Sequence, residues 1–325
     1  MILEAIEKVL SSHCTGADIR RIEAGGDAAP LWQAMQEAGF LDLCLPEEKG
    51  GAALPMVDLF VVLQCLGRFA MPLPLAQTIV ARALVGGAAE LPAGMVTLAG
   101  RLQHRGDAGV ACPSTPYGAV ADHVLANDAG DLLLLSCAQS RRVAVGDARN
   151  LAASLEWDKS QPLLRLAGAG GAVEPFSAAM AAALLSGAMQ RSFDMSLAHC
   201  NNRVQFGKAL GKFQAIQQQL SVMAEHVLAG AIAAESAFRT LDPAPALLAS
   251  AIAKSRTSEA AGLVAGIAHA VHGAIGMTDE YDLGLVTRRL HDWRTSYGAE
   301  NHWNRIIGTH VLAGRGSLAE FVRMV

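Results

Sequence analysis

The sequence predicts a mainly α-helical protein with a small β domain in its middle: an N-terminal helical domain over residues 1–95, a short β domain over 96–167 and a C-terminal four-helix bundle over 168–325. Three observations predict this. Both ends of the chain are rich in Ala and Leu with apolar residues on a 3.6-residue period, as where Ile216, Leu220, Met223, Val227 and Ala231 recur at steps of four, three, four and four. The middle instead breaks into short apolar runs punctuated by Gly, Asp and Pro. Finally, 325 residues at 52% hydrophobic content are enough for two or three layers around a large core.

In chain order, the N-terminal MILEAIEKVLSSHC is an amphipathic helix pattern with two early glutamates and does not read as a signal peptide. Trp32, Met35 and Phe40 lead into a glycine turn at Gly50 and Gly51. Residues 57–66 are apolar enough to be buried on most sides, and Pro72 and Pro74 stop that helix and redirect the chain. The runs MVTLAG, GVAC, HVLAND, LLLLSC, RRVAVGD and LLRLAG then have strand-and-turn composition. GAGGA at 168–172 lacks the G-x-G-x-x-G spacing and a following acidic residue for a ribose, so it reads as a linker and not as a dinucleotide fingerprint. Four helices are expected beyond it, at 177–202, 213–241, 246–273 and 282–312. Pro243 and Pro245 separate the second from the third, and the last breaks near Tyr297 and Gly298.

Residues 203–219, RVQFGKALGKFQAIQQQ, join the first two of these helices. Gly207 and Gly211 can adopt the positive φ that ends one helix and re-aims the chain into the next, which predicts a helical hairpin. Arg203, Lys208 and Lys212 fall at helix ends, where cations and free backbone N–H groups could hold an anion; equally, the lysines could be a solvated loop and Arg203 an internal pair.

A net charge of −4 gives no electrostatic reason to expect nucleic acid or a membrane surface as partner. The six cysteines form no C-x-x-C pair, which argues against a zinc knuckle or a disulfide framework and fits reduced thiols in the cytoplasm. No uninterrupted apolar run approaches the roughly 20 residues of a membrane span. No metal is expected: His302 and His310 stand eight residues apart, more than two helical turns, and His199 beside Cys200 reads as bundle packing.

Three segments carry a family resemblance. Residues 203–219 resemble the R-x-Q-F-G-K-x-x-G-K-F-Q-A-I-Q segment of the acyl-CoA dehydrogenase flavoenzymes. Residues 272–293, HGAIGMTDEYDLGLVTRRLHDW, resemble the family's H-G-G-x-G-x-T-x-E-x-x-L block, and residues 39–51, GFLDLCLPEEKGG, its G-x-x-x-x-x-x-P-E-x-x-G-G. The order is right, so the chain is identified as a member with an acyl-CoA dehydrogenase-like fold. The resemblance implies FAD as cofactor, an acyl-CoA thioester as substrate, and either a homo-oligomer or a heterotetramer with a second acyl-CoA dehydrogenase subunit. It gives Arg203 the FAD pyrophosphate of a neighbouring subunit, Phe206 the adenosine side and Gln214 a nearby hydrogen bond, while Gly273 and Ala274 let the backbone approach the cofactor. Two departures stand out. Ala270 replaces a glutamine two residues before the His-Gly, and the β domain lacks the T-E-P-x-x-G-S-D loop and the W-I-T/S strand.

The family's chemistry is α,β-dehydrogenation, with a carboxylate removing the α proton as the β hydrogen leaves as hydride. The commonest home for that glutamate is a Y-E-G-T stretch in the last helix. Here the stretch is Tyr297-Gly298-Ala299-Glu300, with Arg305 in the following arginine position and Gly298 at the base position. Glu300 lies two residues on, about 200° around a helix. The alternative home is the helix leading to the hairpin, and residues 177–193 contain no Asp or Glu. Three readings follow: an active enzyme with Glu300, or else Asp292, as relocated base; a base-less subunit of a heteromeric acyl-CoA dehydrogenase; or a non-catalytic flavin-binding scaffold. Arg288, Arg289 and Asp292 read as a structural ion pair.

Overall fold

A computed structural model describes residues 2–86, 88–106, 109–158, 161–314 and 320–321. Helices α1 (Ile2–His13), α2 (Gly16–Glu23), α3 (Ala29–Glu37), α4 (Met56–Arg68) and α5 (Leu75–Val85) come first. Their starts are written locally. Thr15 and Asp18 close a reciprocal capping box at α2, and Pro55 and Pro74 stand immediately before α4 and α5, where a missing N–H costs nothing. Beneath them, Gly67 of α4 and Gly187 of the long bundle helix meet. A Cβ on Gly187 would lie 1.9 Å from the Gln64 carbonyl oxygen, so only glycine permits this approach of two backbones.

Strands β1 (Val96–Ala99), β2 (Gln103–His104), β3 (Val110–Thr115), β4 (His123–Asp128), β5 (Asp131–Ser136), β6 (Arg141–Ala144), β7 (Ala153–Trp157) and β8 (Leu164–Leu166) follow. They form two four-stranded sheets, ordered β1-β4-β5-β8 and β2-β3-β7-β6, in which β1 and β4 pair parallel and the other described pairs are antiparallel. A second apolar core, including Cys112, Val124, Leu135, Leu155 and Trp157, lies here. The β3–β7 register slips between Cys112 and Thr115, so that Pro113 and Ser114 bulge outward, with Ser114 at φ +46°.

Helix α6 (Val173–Asn202) is Ala-rich and apolar all round, and it is buried along most of its length at the centre of the bundle. It packs on α7 (Gln214–Ser236), α8 (Leu247–His272) and α9 (Leu283–Thr295), while α10 (Glu300–Ala313) lies on α8. Cys200, near the end of α6, packs with Val271, near the end of α8; Ala178 packs with Ala251 near their starts. The two helices therefore run parallel, and the bundle has two chemically distinct ends.

The structure corrects four expectations. The turn between α6 and α7 is a two-stranded β-hairpin, β9 (Val204–Gln205) with β10 (Lys208–Ala209), and not a bare helix–helix loop. Its tip is Phe206 at φ +52° and Gly207 at φ +80°, whereas Gly211 sits in a 3₁₀ turn without positive φ. Helix α6 starts four residues earlier than expected and so brings in Glu174. Among the described residues two helices, Gly170–Asn202 and Leu247–Met277, are long and apolar enough to cross a membrane, because Ala, Leu, Val and Ile raise mean hydropathy although Ser, Gly and His interrupt the run. The first is mostly buried within the protein, and both pack in the bundle. Finally, the ion pair of Arg288 and Arg289 has Glu23 at its centre, contributed by α2, at 2.6 and 2.9 Å. All six cysteines are free thiols.

Candidate active site

Between the edge of the β region and the start of the bundle lies a cavity of about 600 Å³. One wall is the end of β1, with Gly100 and Arg101, and the Pro113–Pro116 bulge; the other is the first turn of α6 and the α9–α10 junction, Thr295 to Gly298. The junction is fixed from behind. Lys254 of α8, fully buried, donates to the carbonyl oxygens of Arg294 at 2.8 Å and Gly298 at 3.0 Å, and to Ser258 Oγ at 2.8 Å. Trp303 Nε1 donates to the Tyr297 and Gly298 carbonyls at 3.1 Å each. Burial pushes the Lys254 ammonium down to about 7, against the opposing pull of Glu300.

Gly298 lines the cavity at φ +95°, and a Cβ there would stand 2.8 Å from Trp303 Nε1 and 2.9 Å from His302 Cδ2. Glu300 does not line it. Its carboxylate is engaged by Arg294 Nε, and although burial pushes its carboxyl up, its own backbone N–H and Arg294 outweigh this and hold it below the usual range. What the cavity does contain is Glu174, in the first turn of α6, with Oε1 2.9 Å from Nε2 of His302. One turn further along, Ser177 lines the same cavity with its buried Oγ unpartnered among the described residues. Neither Glu174 nor the pairing was foreseen: the acid lies just before the stretch searched for one, and its partner is 128 positions away. A smaller cavity of about 320 Å³ shares the Ser114, Pro116, Thr295 and Ser296 wall and reaches Arg289 and Asp292. Burial pushes the Asp292 carboxyl up, while Arg289 opposes this.

The remaining expected cofactor residues collect at the other end of the bundle. Arg203 caps α6, with its N–H on the His199 carbonyl, and is exposed; Phe206 at the hairpin tip is 92% exposed and meets Phe213 edge-on at 6.3 Å. Lys208 Nζ stands 4.3 Å over the Phe213 ring, and Gln214 opens α7, also exposed. Gly273 ends α8 at φ +63° and ψ −143° with open space where a Cβ would be, followed by exposed Ala274. Beside it, His272 stacks on His199 with ring centroids 4.4 Å apart, and burial pushes both imidazoles down toward the neutral form. The donor set suits a dinucleotide diphosphate: cations, a free aromatic face and a backbone stripped of side chain. Helix α6, 30 residues long, holds this end about 45 Å from the cavity.

Residues 175–312 match the family model for the acyl-CoA dehydrogenase C-terminal domain, and residues 1–90 match that for the acyl-CoA dehydrogenase N-terminal domain. The sequence is 28% identical over 297 residues to the acyl-CoA dehydrogenase IpdE2 of Mycobacterium tuberculosis, covering 90% of each. Among solved structures, the ChsE4-ChsE5 complex from Mycobacterium tuberculosis superposes with a TM-score of 0.85 at 19% identity over 97% of both chains. Butyryl-CoA dehydrogenase from Megasphaera elsdenii does so with a TM-score of 0.80 at 16% identity, over 95% of this chain and 97% of that one.

Proposed function

The chain belongs to the acyl-CoA dehydrogenase family, and from that premise we propose that it serves FAD-dependent α,β-dehydrogenation of an acyl-CoA thioester as part of an oligomer. The observation that carries this reading is the separation of the two half-sites. A cavity for the reacting groups and a cationic hairpin for a diphosphate sit at opposite ends of one helix, too far apart for a single cofactor to touch both in one chain. Two chains placed end to side would complete each other's site. FAD, when bound, supplies the acceptor for the β hydrogen. The chain's own residues then do the following. Arg203 holds the pyrophosphate, Phe206 covers the adenosine side, Gln214 donates or accepts nearby, and Gly273 and Ala274 admit the cofactor's backbone-facing edge. The β3 bulge and the α9–α10 junction wall the cavity that would take the reacting carbons.

Replacing Arg203 with alanine tests this. We expect the purified variant to lose its flavin absorbance while keeping its helical circular dichroism, because Arg203 is exposed. A variant that stays yellow would remove Arg203 from the pyrophosphate.

A second reading is favoured by Gly298 and by the engagement of Glu300: the chain is a base-less subunit of a heteromeric acyl-CoA dehydrogenase and lends its hairpin to a partner of the same family. The superposing ChsE4-ChsE5 complex pairs two differently named chains. The visible spectrum of this chain alone, before and after anaerobic acyl-CoA, separates the readings. Bleaching supports the first, and flavin that appears only with a co-expressed second family member supports the other.

A further inference from the structure

We propose that Glu174, oriented by His302, is the carboxylate that removes the substrate's α proton, so that the base-bearing position of this chain is the first turn of α6 and not the α9–α10 junction. The inference rests on the acyl-CoA reading above. Its starting point is steric. A Cβ at Gly298 would stand 2.9 Å from His302 Cδ2, so a side chain at position 298 and the observed His302 ring compete for one space. With glycine there, His302 turns toward α6, its ring edge-on to Trp303 at 4.7 Å between centroids, and its Nε2 reaches Glu174 Oε1 at 2.9 Å. The loss of a side chain at one position and the presence of a carboxylate–imidazole pair at the other are thus a single arrangement.

The chemistry fits the geometry. The hydrogen bond between His302 Nε2 and Glu174 Oε1 at 2.9 Å orients the carboxylate and leaves Oε2 free to accept. Glu174 stands in the first turn of α6, immediately before Pro175. Ser177, three residues on and so on the same helical face, holds a buried hydroxyl without a partner among the described residues, and it faces the same cavity. That hydroxyl can donate to the thioester carbonyl. In the step itself the α C–H bond breaks, its proton goes to Glu174 Oε2, and its electron pair delocalises into the thioester C=O as an enolate. No redox partner is needed for this half of the reaction. Glu300 is held by Arg294 outside the cavity, and Asp292 faces the smaller cavity against buried Arg289, so neither competes for the position.

Because proton removal is separable from hydride loss, it can be read alone. The purified chain, in the assembly it forms, is incubated in D₂O with a 3-thia-acyl-CoA, whose β sulfur has no hydride to lose, and α-deuterium is followed by mass spectrometry. The wild type is expected to exchange, and Glu174→Gln to exchange about 100-fold more slowly. As a positioning residue, His302 is expected to show a graded loss: His302→Leu slows exchange strongly, and His302→Gln, which keeps a donor, restores most of it. Unchanged exchange in Glu174→Gln overturns the assignment, as does loss in Asp292→Asn in its place, or a wild type that binds the thioether without exchanging it. The flavin spectrum of the same samples is an independent readout. Exchange in a protein without flavin keeps Glu174 and sinks the flavoenzyme reading, and flavin without exchange does the reverse.

Discussion

Removing the Glu23 carboxylate takes the nearest counter-charge from two guanidinium groups, one of them, Arg289, only 1% exposed. A buried charge stripped of its partner costs about 3–5 kcal/mol, because the remaining ion has lost water and gained nothing in return. Glu23→Gln is therefore expected to lower the unfolding free energy by about that much in urea titration. A loss below about 1 kcal/mol would mean that Asp292, 3.5 Å from Arg289, already suffices as counter-ion. Residues of this kind mark the limit of what a sequence shows. The Thr15–Asp18 capping box depends on a spacing of three and is legible from spacing alone, as is the Arg289–Asp292 pair. Glu23 reaches Arg289 across 266 positions and Glu174 reaches His302 across 128, and no local pattern encodes such a meeting. Spacing therefore exposed the Arg289–Asp292 half of the first cluster, and the Glu174–His302 pair was left wholly to the fold.

The α9–α10 junction shows the same division at the level of an element. Its existence was readable, since Tyr297-Gly298 interrupts an otherwise helical pattern, and the helix does break there, ending at Thr295 and resuming at Glu300. Why it must break at glycine was not readable, because the cause lies in Lys254 and Trp303 pulling the Gly298 carbonyl from other elements. The consequence can be tested by placing at this position the glutamate that the family resemblance implies. Gly298→Glu is expected to destabilise the protein by about 2–3 kcal/mol, since it forces a side chain into φ +95° and against the Trp303 indole. Gly298→Ala should cost nearly as much, because the collision is made by the first side-chain atom. Unfolding curves for the two variants check this. A Gly298→Glu protein as stable as the wild type, with faster bleaching by acyl-CoA, would show that the junction can accommodate a base after all. The expected helical hairpin of α6 and α7 is present, but the ladder within its turn was not legible for a related reason: glycine content predicts a turn, whereas β9–β10 depends on backbone pairing that the four residues' side chains do not announce.

At the scale of the whole molecule, the apolar residues divide into those one chain buries and those it leaves out. The central helix was legible as a core because it is apolar on every side, and α6 is indeed buried along most of its length. Composition could not show which apolar faces remain over once the chain has folded. Leu228 and Ile232, one turn apart on α7, stay 63% and 59% exposed, and Phe206 and Met277 stand out at the hairpin end. If two chains complete each other's cofactor site, these two surfaces have different duties, and substitution separates them. A Leu228→Glu and Ile232→Glu double variant places two charges on an apolar face. It is expected to reduce the assembled mass in light scattering and to lose flavin as a result, because the half-sites no longer meet. Arg203→Ala, by contrast, is expected to lose flavin at unchanged mass. If instead the double variant keeps both its mass and its flavin, the α7 face lies outside the interface. If Arg203→Ala disperses the assembly, the hairpin joins chains directly, and the flavin loss in that variant would follow from dissociation instead of from a missing ligand.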